Sequence, residues 1–516
     1  MPRAAQPYAI KDLSKPVSAD LVSQTGRLQS NDDRRSQRIQ FLLKSLQDIA
    51  SARQELIIQL EDLDAQARAL QLEHNSLQNL NAPTSNVPEE VLAMVFEAGT
   101  AGCASDFGRL VSHVSHRWRS IALANPYLWT DIRYARRLDF KSSRNDSTFK
   151  FSVERAITYL FRSRTIPVAI YIEIMDKKEI FPVLQSMADH MRRCRSLRVS
   201  SRFDDSCRKL LAFASRHPAP LLVSLTLTSN AFIKESFSKP LFSLGAPNLK
   251  TVNLSGFHTS TRHGVPFCLP IMQTVTQLRL SNIEINGTES YNSFRNVLMA
   301  LHELSHLELH SRVFSITRSF VPPIELRSLH SLELDFEEDL GDVIRSIHAP
   351  VLDSLMLGRW IEYESIFRRR SRLPEQCLSL RHLKMVDPLA ALDDFSSLAK
   401  IYPNIEHLTF SGTFDEEDLT EILKAVLDAH GDEKKASDEQ MCWPKLKEIT
   451  VSSLEPESTI LPLRDTILQL QKARRPLNTL SLPNHILSLQ GEARVLRDIV
   501  RVEEYRDDYP SPFGPV

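Results

Sequence analysis

The chain has 516 residues, enough for about three domains of ordinary size. Apolar residues make up 42% and charged residues 25%, so a buried core is expected and disorder throughout is excluded. Lys and Arg number 63 against 64 Asp and Glu, a net charge of −1 that excludes a global electrostatic footprint for nucleic acid or an anionic membrane. The 14 glycines are well under half the ~7% typical of globular chains, which argues against a Gly-rich phosphate-cradling fold. Six cysteines (Cys103, Cys194, Cys207, Cys268, Cys377 and Cys442) form no CxxC pair for zinc or redox work. The start has no apolar signal region, and no uncharged apolar run reaches 18 residues. The expectation is a reduced intracellular protein of cytoplasm and/or nucleus, with no membrane and no nucleic acid among its partners.

Residues 1–30 mix Pro2, Pro7 and Pro16 with polar side chains and read as a flexible tail. A heptad then sets in. Ile39, Leu46, Arg53, Leu60, Ala67 and His74 fall at one seam position, and Leu42, Ile49, Leu56, Leu63, Leu70 and Leu77 at the other. Nine of these twelve are Leu or Ile, with no Gly or Pro among the residues between, so residues 31–81 are expected to form a coiled-coil helix. Arg53 and His74 weaken a simple two-stranded coil. Two alternatives stay open: self-association through residues 39–77, or packing of the stripe on the chain's own body.

Pro83 ends that helix, and Asn86-Val87-Pro88-Glu89-Glu90 starts another: Asn86 can cap, Pro88 fits the first turn, and the two Glu oppose the helix dipole. Val91, Leu92, Val95 and Phe96 form its apolar stripe. After a loop, Val111, Val114, Trp118 and Ile121 share one helical face, and Asn125-Pro126 breaks it ahead of Tyr127-Leu128-Trp129.

Downstream, one unit recurs eleven times as L-x-x-L-x-L or a close variant. Its central positions are 197, 225, 252, 278, 307, 332, 355, 383, 408, 449 and 480, with steps of 23 to 31 residues apart from one of 41. Amphipathic stretches such as Ser206–Ser215, Asn292–Leu301 and Asp415–Ala429 lie between them. Each unit therefore reads as one short strand plus one helix, stacked as leucine-rich repeats with a parallel sheet. The long step holds a polar insert near 431–440. The expected organisation is an α+β solenoid chain: a tail (1–30), a coiled-coil helix (31–81), a small all-α module (82–134), a linker and helix (135–164), the solenoid (165–490), and a cap and tail (491–516).

Chemistry-bearing motifs are few. His302-Glu303-Leu304-Ser305-His306 is a literal H-E-x-x-H, which works in zinc peptidases because two His at i and i+4 share a helix face. Here His306 lies inside a strand pattern, so chelation is not expected, and no metal or cofactor is predicted. Arg368–Arg372 reads as a solvated helix end, and Asp335–Asp339 and Asp415–Asp418 as helix N-termini with favourable charge.

Residues 86–129 resemble an F-box. The match is to the start Val87-Pro88-Glu89-Glu90-Val91-Leu92 with Phe96, to Val111-Ser-His-Val114-Ser-His-Arg117-Trp118-Arg119, and to Leu128-Trp129, although Val87 stands where the family usually has Leu. A coil before the box and leucine-rich repeats after it are similar to one large F-box subgroup. The resemblance implies a non-enzymatic substrate-recognition subunit of an SCF-type cullin-RING E3 ubiquitin ligase, with a Skp-type adaptor, a cullin and an unknown target protein as partners. The alternative is a coiled-coil and leucine-rich interaction scaffold without ligase association. Carried over residue by residue, Pro88, Glu89, Leu92, Phe96, Val114, Trp118, Leu128 and Trp129 lie at or just beneath the adaptor surface, while Val111 and Ile121 belong to the module's own core. Strand alternation puts Arg279, His306, Glu308, His310, Glu333, Asp335, His382, Lys384 and His407 on the face opposite the leucines, the expected target surface.

Overall fold

The computed structural model describes residues 25–80, 83–102, 106–134, 147–174, 180–233, 242–257, 272–315, 322–336, 340–358, 379–389, 392, 395–428, 443–455, 463–472, 477–488, 490–506 and 512–513. The chain divides into two units, Met1–Val91 and Leu92–Val516. In the first, α1 is one 56-residue helix, Thr25–Leu80, about 84 Å long at 1.5 Å per residue. It takes in the last residues assigned to the tail, whereas 1–24 lie outside the described residues. Side-chain amides clasp along its surface, Gln66 to Asp62 at 2.8 Å and Gln71 to Asn75 at 2.9 Å. Every Leu and Ile of the heptad seam is between 46% and 67% exposed. A single 3-10 turn, Pro83–Asn86, follows.

Three short helices come next: α2 (Glu89–Gly102), α3 (Phe107–Ser112) and α4 (His116–Ala124), closed by a 3-10 turn over Pro126–Trp129. Capping sets their ends. Ser115 Oγ accepts from the Trp118 backbone N–H at 3.2 Å, and Asn125 Oδ1 accepts from the Tyr127 N–H at 3.1 Å. The Asn125 amide also donates to Glu97 at 2.8 Å, tying α2 to the end of α4. Leu92, Phe96, Val111, Ile121 and Ala122 are buried as a small core. Gly108 is needed where it is: a Cβ there would lie 2.6 Å from the Leu128 carbonyl oxygen.

The chain then enters a 14-stranded sheet, parallel throughout, whose strands follow one another in chain order. They are β1 (Asp131–Tyr134), β2 (Val168–Ile174), β3 (Cys194–Ser201), β4 (Ser224–Ile233), β5 (Thr251–Phe257), β6 (Gln277–Asn286) and β7 (His306–Ser315). They continue as β8 (Ser331–Phe336), β9 (Ser354–Gly358), β10 (His382–Val386), β11 (His407–Ser411), β12 (Glu448–Val451), β13 (Thr479–Leu482) and β14 (Arg501–Glu504). All eleven sequence repeats are strands of this sheet. Their central residues pair in unbroken register, Leu197 with Leu225, on through Leu278 with Leu307 and Leu355 with Leu383, to Ile449 with Leu480. The unequal repeat lengths are therefore absorbed by the returning segments and not by the strands. The array also extends past both expected limits, beginning at Asp131 rather than 165 and ending at Glu504 rather than 490.

Helices return several strands, among them α5 (Ser147–Arg162) after β1, and Asp204–Ala214, Gly287–Met299 and Glu416–Asp428 further on. The last begins as the sequence requires, with reciprocal bonds between Asp415 and Asp418 that form a capping box. Asp335 differs from the expectation for its acidic run: it is a strand residue of β8. Arg368–Arg372 and the insert near 431–440 lie outside the described residues. His302 sits in a turn and His306 on β7, so the H-E-x-x-H never forms a helix face. No helix among the described residues is long and apolar enough to cross a membrane.

Candidate functional site

Along each repeat strand the leucines point one way and their neighbours the other. On the second face, β6, β7 and β8 assemble an ionic cluster. Glu308 is 0% exposed. Burying a carboxylate is costly unless it is paired and hydrogen-bonded. Glu308 is both: Oε2 receives Arg279 Nε in a short contact, and Oε1 lies 2.8 Å from His306 Nε2. His310 Nε2 lies 3.0 Å from Glu333 and 4.0 Å from Glu308, and its Nδ1 is 4.0 Å from Asp335. Six sequence-predicted target-face residues thus form one network, with three carboxylates facing one guanidinium and two imidazoles. Glu308, His310 and Glu333 place ligand atoms within 4.8 Å of one another. Both carboxylate oxygens of Glu308 are already engaged, by Arg279 and His306.

One neighbour of this network carried no sequence signal. Phe513 is 8% exposed, its ring centroid 4.8 Å from the Arg279 guanidinium and 6.1 Å from the His306 ring.

His382, Lys384 and His407 are not part of that network. They line a separate cavity of about 800 Å³ formed by β9–β14, together with Glu448, Ser481, Tyr505 and Arg506. The His382 and His407 rings stack at 4.6 Å. Each is held by an acid, His382 Nδ1 at 3.0 Å from Asp353 and His407 Nδ1 at 2.9 Å from Glu448. The hydrogen bond from His407 holds the Glu448 carboxyl below the usual carboxylate range, against partial burial and with help from Ser481. Sequence reasoning found the imidazoles but missed Tyr505 and Arg506, because β14 lacks the leucine pattern.

In the helical segment, Pro88, Glu89 and Val114 are exposed, and Trp118 is half-buried with its ring 4.8 Å from Phe96. Leu92 and Phe96 lie in the core beneath. Leu128 and Trp129 are buried. Trp129 is 0% exposed, its indole N–H donates to the Ala122 carbonyl at 2.8 Å, and its ring meets Tyr159 edge-on at 5.0 Å with Arg162 stacked at 4.4 Å. Two residues later the chain is already in β1, so this pair seals the first strand and α5 instead of facing outward. The alternation Asp131-Ile132-Arg133-Tyr134 was the available signal. Apolar side chains that do face outward are Met94, Val95, Leu110 and Tyr127, with Met94 68% exposed.

No protein-family model matches this chain. No curated protein matches it in sequence.

Proposed function

We propose that the chain is a non-enzymatic tether that holds an adaptor through residues 86–129 and a target protein on the face of its solenoid opposite the leucines. This is the arrangement of F-box substrate-recognition subunits in SCF-type cullin-RING ubiquitin ligases. Catalysis would belong to other subunits, and this chain would raise the local concentration of target lysines. The observation that carries the reading is the outward display of Met94, Val95, Leu110 and Val114 above a core of Leu92, Phe96, Val111 and Ile121. So small a set of helices exposing four large apolar side chains fits a surface that another chain covers. That face adds a paired but acid-rich network with a polar cavity beside it, suited to a basic or mixed-charge segment. The free Cys194 thiol is buried and pushed up to about 12 by that burial, so it offers no nucleophile.

Leu92 is buried, so its truncation would open the core and could not test the surface alone. The pair Val95→Asp and Val114→Asp is the appropriate test. Expressed with an affinity tag, the wild-type chain should recover a Skp-type adaptor and a cullin. The double variant should lose at least nine-tenths of both while its thermal unfolding midpoint stays within a few degrees. Recovery of neither by the wild-type chain would favour the scaffold reading.

A further inference from the structure

We propose that the ionic cluster on β6–β8 is a pocket for an aromatic side chain on an extended peptide segment, and that Phe513 fills it in cis. This rests on the face opposite the leucines being the target site and names the chemistry of what binds there. Phe513 is nearly fully buried, yet it lies outside the repeat pattern. Its partner is the guanidinium of Arg279, which offers a flat cationic surface to a π face. That surface is held in place because Glu308 accepts from the guanidinium edge at Nε and His306 holds Glu308. A pocket whose walls are locked before a ligand arrives loses little on binding. The ligand's own sequence fits: Pro510, Pro512 and Pro515 surround Phe513, and proline pre-orders an extended chain. A target carrying a Pro-aromatic segment would compete with Phe513 for the same pocket, so occupancy by Phe513 makes target capture a displacement.

The probe is a fluorescently labelled synthetic peptide of residues 504–516, followed by anisotropy with three chains: wild type, Phe513→Ala, and a chain ending at Arg506. The peptide should bind the Phe513→Ala chain and the shortened chain at least ten-fold more tightly than wild type, where the tethered copy competes at high effective concentration. The same peptide with alanine in place of its phenylalanine should not bind. Equal binding by all three chains, or binding by none, would overturn the proposal. Adaptor recovery from the same preparations is read separately, so failure of the pocket would not be mistaken for failure of the tether.

A different observation carries a second inference. The seam of α1 is exposed along its whole length, and the geometry points to a second copy in antiparallel orientation as what covers it. In a parallel pair Arg53 meets Arg53 and His74 meets His74 in the core. In an antiparallel pair centred between Leu56 and Leu60, every layer joins one seam position to the other: residues 39 with 77, 42 with 74, 46 with 70, 49 with 67, 53 with 63 and 56 with 60. Arg53 then packs on Leu63 of the second copy, next to an acid at position 64, and the two arginines stand ten residues from their like charge. The match holds across all six layers at once. The test mixes full-length Arg53→Cys and Leu63→Cys chains under mild oxidation. A dimer-mass species whose tryptic peptides join positions 53 and 63 is expected. A link joining position 53 to position 53 between two Arg53→Cys chains would overturn the orientation, and a wild-type chain that sediments as a monomer at micromolar concentration would overturn the pairing.

Discussion

Trp129→Ala should destabilise the start of the sheet by about 3–5 kcal/mol, the usual cost of truncating a fully buried large aromatic. The residue is 0% exposed, its N–H is bonded to the Ala122 carbonyl, and its ring is clamped between Tyr159 and Arg162. The loss therefore combines a cavity with an orphaned carbonyl where α4, α5 and β1 converge. Trp118→Ala should cost distinctly less, since that ring is half-buried and rests on Phe96. Urea unfolding followed by tryptophan fluorescence and far-UV circular dichroism compares the two. A Trp118 variant as damaged as the Trp129 variant would mean that the helical segment, and not its junction with the sheet, is the weaker point.

Arg279→Ala should be the most damaging single change on the face opposite the leucines. It strips Glu308 of its guanidinium while leaving the carboxylate buried among other acids. Breaking a buried pair from one side typically costs about 3–5 kcal/mol, because the survivor keeps its desolvation penalty without its compensation. The double change Arg279→Ala with Glu308→Gln should recover a good part of that loss. Urea midpoints of the two variants give the comparison. If the double variant were as unstable as the single one, stacking of the guanidinium on Phe513 would be the larger contribution.

The solenoid was legible because its signal is repeated. A single Leu-x-x-Leu-x-Leu is a weak cue, but eleven copies at similar spacing leave one architecture in which all the leucines can be buried, and Leu278, Leu307, Leu332 and Leu355 do pair in one ladder. The long helix was legible for the same reason. The ends of the array were not. Asp131–Tyr134 and Arg501–Glu504 are four-residue strands without the leucine repeat, too short for their own pattern to stand out. Side-chain roles were legible only as far as strand alternation carries. Period two placed Arg279, Glu308 and Glu333 on one face, but it could not say that Glu308 would be fully dry or that Phe513 would travel to meet Arg279. Residue type alone could not say how deeply Trp129 would be buried, because tryptophan anchors both interfaces and cores.

The two outermost strands also decide where the stack stops. A sheet of parallel strands ends in a row of unpaired backbone groups at each edge, and such a row is a template on which any extended chain can add. Here β14 carries Arg501, Glu503 and Glu504, with Arg501 paired to Glu503 at 2.6 Å, and β1 carries Asp131 paired to Arg133 at 3.0 Å. Both borders are short and charged. A further strand would have to strip water from those ions before gaining its first backbone bond. The residues that made the borders hard to find in the sequence are thus ones that oppose the addition of a further strand at either edge.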